Sequence, residues 1–263
     1  MVRTRNTPAI VINLKPLGEN NTSVTLLTKT EGVIYAILYG GPKSKMRSLV
    51  SQWNSGIVYL YDNPEKKQIK ISDFDVKKYH VSFGKNLFKM FAASLAAELA
   101  IKSKCAGSYE DCFVLVSGFI DGLDLVNEDQ GRLGLVRFLW RFLELLGVQP
   151  DAISCNHCGK SFANPASFAH FSENYYNALT NSFVCCDCVK NNNAEEEHSS
   201  VLFPIKSSAI NYLSAVSKFS ASDVRKLQID KEGYEQIRNI VFFLIENSLE
   251  TKLNTIETGV GIL

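Results

Sequence analysis

Two pairs of cysteines at knuckle spacing constrain this chain more than any other feature. Cys155-Asn156-His157-Cys158 and Cys185-Cys186-Asp187-Cys188 are both Cys-x-x-Cys, separated by residues 159–184. Each such turn places two thiolates on one face, and two turns close a tetrahedron around Zn²⁺. The separation exceeds the common ribbon spacing, so a hairpin is expected between the knuckles. Four thiolates leave no coordination position for water. The expected ion, one structural Zn²⁺ per chain on Cys155, Cys158, Cys185 and Cys188, therefore braces the fold and activates no nucleophile. Cys186 can stand in for Cys185, although Cys186 to Cys188 is a Cys-x-Cys bite of poorer geometry, and His157 is a ligand of lower rank. The cysteines number seven, an odd count, and Met1 to Ile10 has no secretory core, so a reducing compartment is expected.

Charge is spread unevenly. Residues 1–80 hold twelve Lys and Arg against six Asp and Glu, hence +6, while the remainder holds sixteen against twenty-one, hence −5. The basic front can meet a polyanion. No run of eighteen uncharged apolar residues exists, so a soluble cytoplasmic protein without membrane association is expected.

Ala9 to Lys15, Thr22 to Thr28 and Val33 to Tyr39 are rich in Val, Ile, Thr and Tyr, with breaks at Pro16-Leu17-Gly18 and Glu31-Gly32. Ser55 to Tyr61 and Gln68 to Val76 add two more strands around Asp62-Asn63-Pro64. Five short strands without a helix long enough to cover a parallel sheet predict a small closed barrel of the OB type, with an SH3-like barrel as the alternative. Between the third and fourth strands lies Gly40-Gly41-Pro42-Lys43-Ser44-Lys45-Met46-Arg47. In an extended loop Lys43, Lys45 and Arg47 point the same way and suit phosphates. Trp53, Tyr35, Tyr39, Tyr59 and Tyr61 lie on or near the flanking strands, either as barrel core or as rings on which bases stack. The expected DNA-binding set is Lys43, Lys45, Arg47, Tyr39 and Trp53.

After Val81 the period becomes helical. Leu87, Phe91, Leu95 and Leu99 predict a helix over 83–105, and Tyr109 to Leu125 predicts a second, with Cys105 and Cys112 as small core residues. Residues 130–147 form the most apolar helix and should be buried nearly all round. It carries Arg132, Arg137 and Arg141 beside Trp140. These arginines either pair with Glu144, Glu98 or Asp111, or rim an apolar pocket that takes an acidic-aromatic peptide end. Phe162, Phe168, Phe171, Tyr175 and Tyr176 are expected to cover the metal site or to dock it on the bundle, and Asn191 to Ser200 is expected as a mobile loop containing His198. His80 and His170 have no ligand partners at metal spacing. Ser207 or Ser208 and Ser220-x-x-Asp223 are expected caps, Tyr234, Ile237, Val241 and Leu244 mark a last long helix, and the tail from Leu253 should fray. The domain reading is therefore an OB-fold over 1–80, a helical bundle beginning over 81–150, a four-cysteine zinc module over 151–190, and the completing part of the bundle over 201–263.

The order of parts resembles the RecO family of bacterial recombination mediators over nearly the whole chain. Its carriers are Ala9-Ile10-Val11-Ile12 leading to Gly18-Glu19, Leu26-Leu27-Thr28 with Glu31-Gly32, and the Lys43-Ser44-Lys45-Met46-Arg47 loop. Arg137-Phe138 to Leu145-Leu146-Gly147 and the Cys-x-x-Cys pairs with Phe171-Ser172 between them complete the set. Two departures stand out. Gly41-Pro42 replaces the family's usual Ala-Arg, which loses a cation, and Asn181-Ser182 replaces the usual glycines before the second knuckle. The resemblance implies a non-enzymatic DNA-binding protein of recombinational DNA repair, cytoplasmic and nucleoid-associated. Such proteins bind single- and double-stranded DNA, anneal complementary strands, associate with RecR, and help load recombinase onto strands coated by single-strand binding protein. The resemblance also favours the pocket reading of the arginines. Arg137 falls on the part of the bundle that in this family accepts the acidic C-terminal tail of the coating protein.

Two other classes compete. A zinc-dependent hydrolase or nuclease needs an open metal position and a His/Asp/Glu cluster, and the sequence offers neither. A zinc-ribbon and OB factor of transcription or translation uses the same modules and differs in its partners.

Overall fold

A computed structural model of the chain describes residues 3–41, 44–163, 174–191, 201–249 and 251–263. Lys43, Phe168, His170, Phe171, Ser172 and His198 lie outside the described residues, as does the expected loop beyond Asn191. The chain divides into two compact units, Met1–Gly134 with Thr251–Leu263, and Leu135–Glu250. Among the described residues no helix is long and apolar enough to cross a membrane.

The first unit is built on five strands, β1 (Thr4–Leu17), β2 (Asn21–Thr28), β3 (Gly32–Leu38), β4 (Ser55–Asn63) and β5 (Gln68–Lys78). They close into a barrel in the order β1-β2-β3-β5-β4, the OB arrangement expected from the sequence. Period-two alternation decides what faces in. Val24 and Leu26, Ile34, Ala36 and Leu38, and Val58 and Leu60 meet in one core with Ile71 and Phe74. The first strand is longer than Ala9 to Lys15. Its front, Thr4–Ile10, pairs with β4, and its rear, from Ala9 on, pairs with β2, with a register shift between Val11 and Asn13. Such an irregularity bends one strand so that it serves two neighbours and closes the circle. At one rim Arg5 holds Glu31 through two hydrogen bonds of 2.7 and 2.9 Å and also pairs with Asp62, which ties β1 to the β2–β3 turn and to β4.

Where it is described, the β3–β4 connection is not extended from Lys45 on. Lys45–Leu49 is a short helix, α1, and Met46 and Val50 pack against the barrel core. Successive positions on a helix are about 100° apart, so Lys45 and Arg47 point in different directions, contrary to the row expected from an extended loop.

Helices cover the barrel within the same unit. After a 3-10 turn at Val81–Lys85 come α2 (Leu87–Lys102), capped by the Asn86 side chain at 2.9 Å, and α3 (Tyr109–Leu125). The buried face of α2 runs through Phe88, Ala92, Leu95 and Leu99, whereas Leu87, expected on the stripe, is exposed. Lys104, Cys105, Ala106 and Gly107 all have positive φ, a left-handed turn that breaks the helix before the expected Cys105 end. Cys105 and Cys112 are both fully buried, and their side chains hydrogen-bond each other. His80 is also buried. Its Nδ1 lies 2.7 Å from the Trp53 carbonyl and its Nε2 2.9 Å from Asp121 on α3, which joins barrel to helix layer.

The tail does not fray. Leu253 and Leu263 are buried, and α9 (Asn254–Thr258) begins where the Glu98 carboxylate accepts the N–H groups of Asn254 and Thr255 at 2.9 and 2.8 Å. Burial pushes the Glu98 carboxyl up. The Lys102 ammonium and these donors more than offset that and hold it below the usual range. A carboxyl held down in the fold stabilises above its unfolded value and loses that contribution as pH falls through the folded one.

The second unit contains the rear of α4 (Glu128–Leu145), within which the division falls, a three-stranded sheet and the remaining helices. The sheet has the order β7-β6-β8, with β6 at Asn174–Asn177, β7 at Ser182–Val184 and β8 at Leu202–Ile205. The helices are α5 (Cys186–Asn191), α6 (Ser207–Lys218), α7 (Ala221–Val224) and α8 (Lys231–Ser248). As expected, α4 is buried on several sides, at Leu135, Val136, Phe138, Leu139, Trp140, Phe142 and Leu143. Ser220 and Asp230 cap α7 and α8, whereas the N-cap of α6 is Lys206 and Ser207 instead accepts the Asn174 amide at 2.7 Å.

Glu98→Ala is expected to cost about 2 kcal/mol and to speed amide exchange at 254–263 before the barrel opens. In the wild type the same segment should lose protection below about pH 4. Hydrogen exchange read by mass spectrometry checks both.

Candidate metal centre and nucleic-acid face

The four thiols of Cys155, Cys158, Cys185 and Cys188 converge, with all sulfur atoms within 4.8 Å of one another. Local backbone bonds explain why. In the first knuckle the Cys155 carbonyl accepts the Gly159 N–H at 2.9 Å, and Gly159 sits at φ +70°, a conformation that glycine adopts without a Cβ penalty. The Cys155 N–H closes on the Lys160 carbonyl at 2.9 Å, and Ser154 bridges Ser161 as a minimal antiparallel turn. In the second knuckle the Cys185 carbonyl accepts the N–H groups of Cys188 and Val189 as α5 begins. The two knuckles are joined by Asn156 N–H to the Phe183 carbonyl at 3.0 Å, and by Lys160 to Asp187 at 3.2 Å. Phe183 is also the hub of the aromatic packing beneath, with Tyr176, Phe162 and Trp140 rings at 5.6 to 6.5 Å.

The donor set fits a tetrahedral ion. Four sulfurs about 2.3 Å from a common centre lie about 3.8 Å apart, and the sulfurs of Cys158 and Cys185 are 3.7 Å apart. Cys185 rather than Cys186 is the third member. The Cys186 thiol turns to the Asp187 carboxylate at 3.6 Å, and His157 is absent from the cluster. Burial pushes the Cys155 thiol up, but the N–H groups of Cys185, Cys158 and His157 more than offset this and bring it down to about 7. Burial dominates at Cys185, whose thiol is pushed up to about 11. Burial likewise raises the Cys188 thiol, so backbone donors lower one thiol of the cluster while burial raises two.

On the barrel, Lys45 is exposed and Arg47 is half-buried with its guanidinium 3.3 Å from Thr22 Oγ1. Trp53 corrects the sequence reading. It is 5% exposed, has φ +72°, and packs edge-on against Phe83, so its ring has no face left for a base. Tyr39 is 42% exposed, and the Lys70 ammonium lies 4.7 Å from its ring centre. Sequence reasoning missed Lys70. Its signal was the alternation Ile69-Lys70-Ile71, which turns the lysine outward between two core residues.

The arginines separate. In the first unit Arg132 pairs with Glu128 at 2.8 Å and lies 4.6 Å above the Phe88 ring. In the second, Trp140 is fully buried, with Nε1 donating to Ser217 at 2.9 Å, so it belongs to the core and lines no open pocket. Arg141 donates to the carbonyls of Val216 and Phe219 at the end of α6. Burial, and then the charges of Arg225 and Arg141, hold the Arg137 guanidinium below its usual range, against the opposing effect of Tyr212. The Tyr212 hydroxyl is buried and has no hydrogen-bond partner among the described residues. Tyr212 and Arg225 carry no local motif that singles them out.

Cys155→Ser and Cys185→Ser are each expected to abolish stoichiometric metal and to lower the melting temperature, while Cys186→Ser retains both. Metal analysis alongside thermal melts checks this.

Comparison with known proteins agrees with this architecture. The profiles described as Recombination protein O N terminal and Recombination protein O C terminal match residues 1–78 and 84–256. The chain is 26% identical over 176 residues to DNA repair protein RecO of Synechococcus sp. (strain JA-3-3Ab), covering 60% of this chain and 57% of that protein. It is 24% identical over 162 residues to DNA repair protein RecO of Syntrophobacter fumaroxidans, covering 61% and 64%. Both matches take in less than two thirds of the relative's length. A longer one, with DNA repair protein RecO of Thermoanaerobacter sp. (strain X514), is 26% identical over 234 residues and covers 88% and 90%. With one profile spanning the barrel and the other the helical and cysteine-bearing part, the chain belongs to the RecO family.

Proposed function

We propose that this chain is a DNA-binding mediator of recombinational repair, with no catalytic step of its own. The observation that carries the reading is the closed OB barrel formed by the segment in which the basic excess of +6 is concentrated. A barrel of this kind offers an outer face to an oligonucleotide, and cations there displace counterions from phosphate. The four-sulfur cluster holds one structural Zn²⁺ in this reading. Thiolate-only donors select a soft or borderline ion, and a saturated tetrahedron supplies rigidity without chemistry. The reading extends to single- and double-stranded DNA, annealing of complementary strands, association with RecR, and loading of recombinase onto strands coated by single-strand binding protein.

The second unit supplies the contact to that coating protein. Arg137 and Arg141 face Arg225 and the unpartnered Tyr212 hydroxyl, and Phe219 is exposed beside them. A carboxylate entering there relieves the repulsion among the cations and accepts the Tyr212 proton donor, and an aromatic end residue covers Phe219. Arg132 is left out, because it lies in the first unit.

Charge reversal at Lys43, Lys45 and Arg47 is expected to weaken DNA binding and to flatten the plot of log affinity against log salt by about 0.9 for each duplex phosphate that is no longer neutralised. Unchanged affinity and slope would place the DNA site elsewhere. An acidic peptide with a free aromatic C-terminus should bind the wild type and lose about tenfold or more with Arg137→Ala, or on amidation of its carboxylate. Fluorescence polarisation reads both.

A further inference from the structure

The four sulfurs of the cluster differ in what can reach them. Cys155 and Cys185 are buried, Cys188 is half-buried, and Cys158 is exposed. The Cys155 sulfur is also engaged by backbone donors, since it accepts the N–H groups of Cys185, Cys158 and His157. Such donors stabilise charge on a sulfur and reduce its nucleophilicity. The exposed sulfur of Cys158 lies 3.7 Å from that of Cys185, on the other knuckle. Asn156 N–H to the Phe183 carbonyl at 3.0 Å, and Lys160 to Asp187 at 3.2 Å, hold the knuckles together. One solvent-facing sulfur thus has a buried partner already within reach. Oxidation of a cysteine follows its access and its thiolate character, and metal ligation requires the thiolate.

We propose that Cys158 is the oxidant-facing sulfur of a reversible redox site, at which a peroxide joins Cys158 to Cys185 as a disulfide. The bond itself follows from the sulfur geometry, and its consequence, release of the ion, rests on the structural Zn²⁺ reading above. In the first step the Cys158 sulfur attacks one peroxide oxygen and the O–O bond breaks. The departing hydroxide takes a proton from water, and Cys158 is left as a sulfenic acid. The Cys185 sulfur then attacks the Cys158 sulfur, the S–O bond breaks, and a second hydroxide leaves and is protonated. Two thiols and one hydrogen peroxide become one disulfide and two waters; each sulfur loses one electron and the peroxide oxygens gain both. Two thiolates remain, too few for a closed tetrahedral site, so the ion is lost. Asn156 of the first knuckle is bonded to Phe183, so the change reaches the ring that packs on Tyr176, Phe162 and Trp140. A dithiol reductant and fresh Zn²⁺ reverse both changes.

The test treats the reduced full chain with about one equivalent of hydrogen peroxide, blocks free thiols with N-ethylmaleimide and digests with trypsin. Cleavage after Lys160 separates the two knuckles. A Cys158–Cys185 bond therefore appears in mass spectrometry as a cross-linked pair of peptides, located by fragmentation, whereas a bond within one knuckle leaves the peptides separate. Metal content, measured in parallel, is expected to fall from about one Zn²⁺ per chain to none, and to return with dithiothreitol and added Zn²⁺. Cys186→Ser should respond as the wild type does. A bond from Cys158 to any other cysteine, irreversible sulfinic or sulfonic acid at Cys158, or metal retained after peroxide overturns the site. A reduced chain that holds no metal yet forms the Cys158–Cys185 bond overturns the Zn²⁺ reading and leaves the redox pair standing.

Discussion

Four sulfur atoms brought within 4.8 Å of one another are the tightest constraint in the second unit. As thiolates they repel one another, and as thiols they offer only weak hydrogen bonds to set against the entropy of ordering two turns. The surrounding strands in the second unit are short, with three to four residues each. The knuckles are tied together by their backbone bonds and by the aromatic layer beneath, where Phe183 packs against Tyr176, Phe162 and Trp140, and the four thiols are placed so that they could hold a metal ion. Trp140 and Arg141 both reach the last turn of α6, so the packing under the cluster and the group of cations around Arg137 share one helix.

The barrel solves a different problem by a different means. Its stability comes from closure, which removes the unpaired strand edges that an open five-stranded sheet would expose. Closure requires β1 to serve β4 with one half and β2 with the other. The inward residues are consumed by that core, which leaves the outward positions free to vary for binding. Tyrosine and lysine stand there without disturbing the fold, and the contrast with Trp53, drawn inside against Phe83 from the turn before β4, shows that ring type alone does not reveal whether a residue faces core or solvent.

Much of this was legible in the sequence where one physical signal dominates. Alternation at Ile34 to Leu38 or Val58 to Leu60 survives because a half-buried strand must obey it, and Cys-x-x-Cys spacing is set by the reach of a single turn. The front of β1 was not legible, since Thr4-Arg5-Asn6-Thr7-Pro8 has no apolar alternation and is held by pairing to β4, some fifty residues away. Lys45 to Leu49 has the composition of a loop, and only the socket for Met46 and Val50 at the barrel end makes it a helix. The tail looked loose because its anchor, Glu98, is distant in sequence. Tyr212 and Arg225 gain meaning only when helices bring them beside Arg137.

That anchored tail makes the first unit discontinuous, since residues 135–250 are inserted between its two parts. During synthesis the barrel, α2 and α3 leave the ribosome early, yet Glu98 must wait for Asn254 and Thr255, so the anchor of α9 forms only after the whole insert is made. Nascent chains are therefore most vulnerable to chaperone capture or mispairing in that interval, and the final dozen residues act as the latch that ends it.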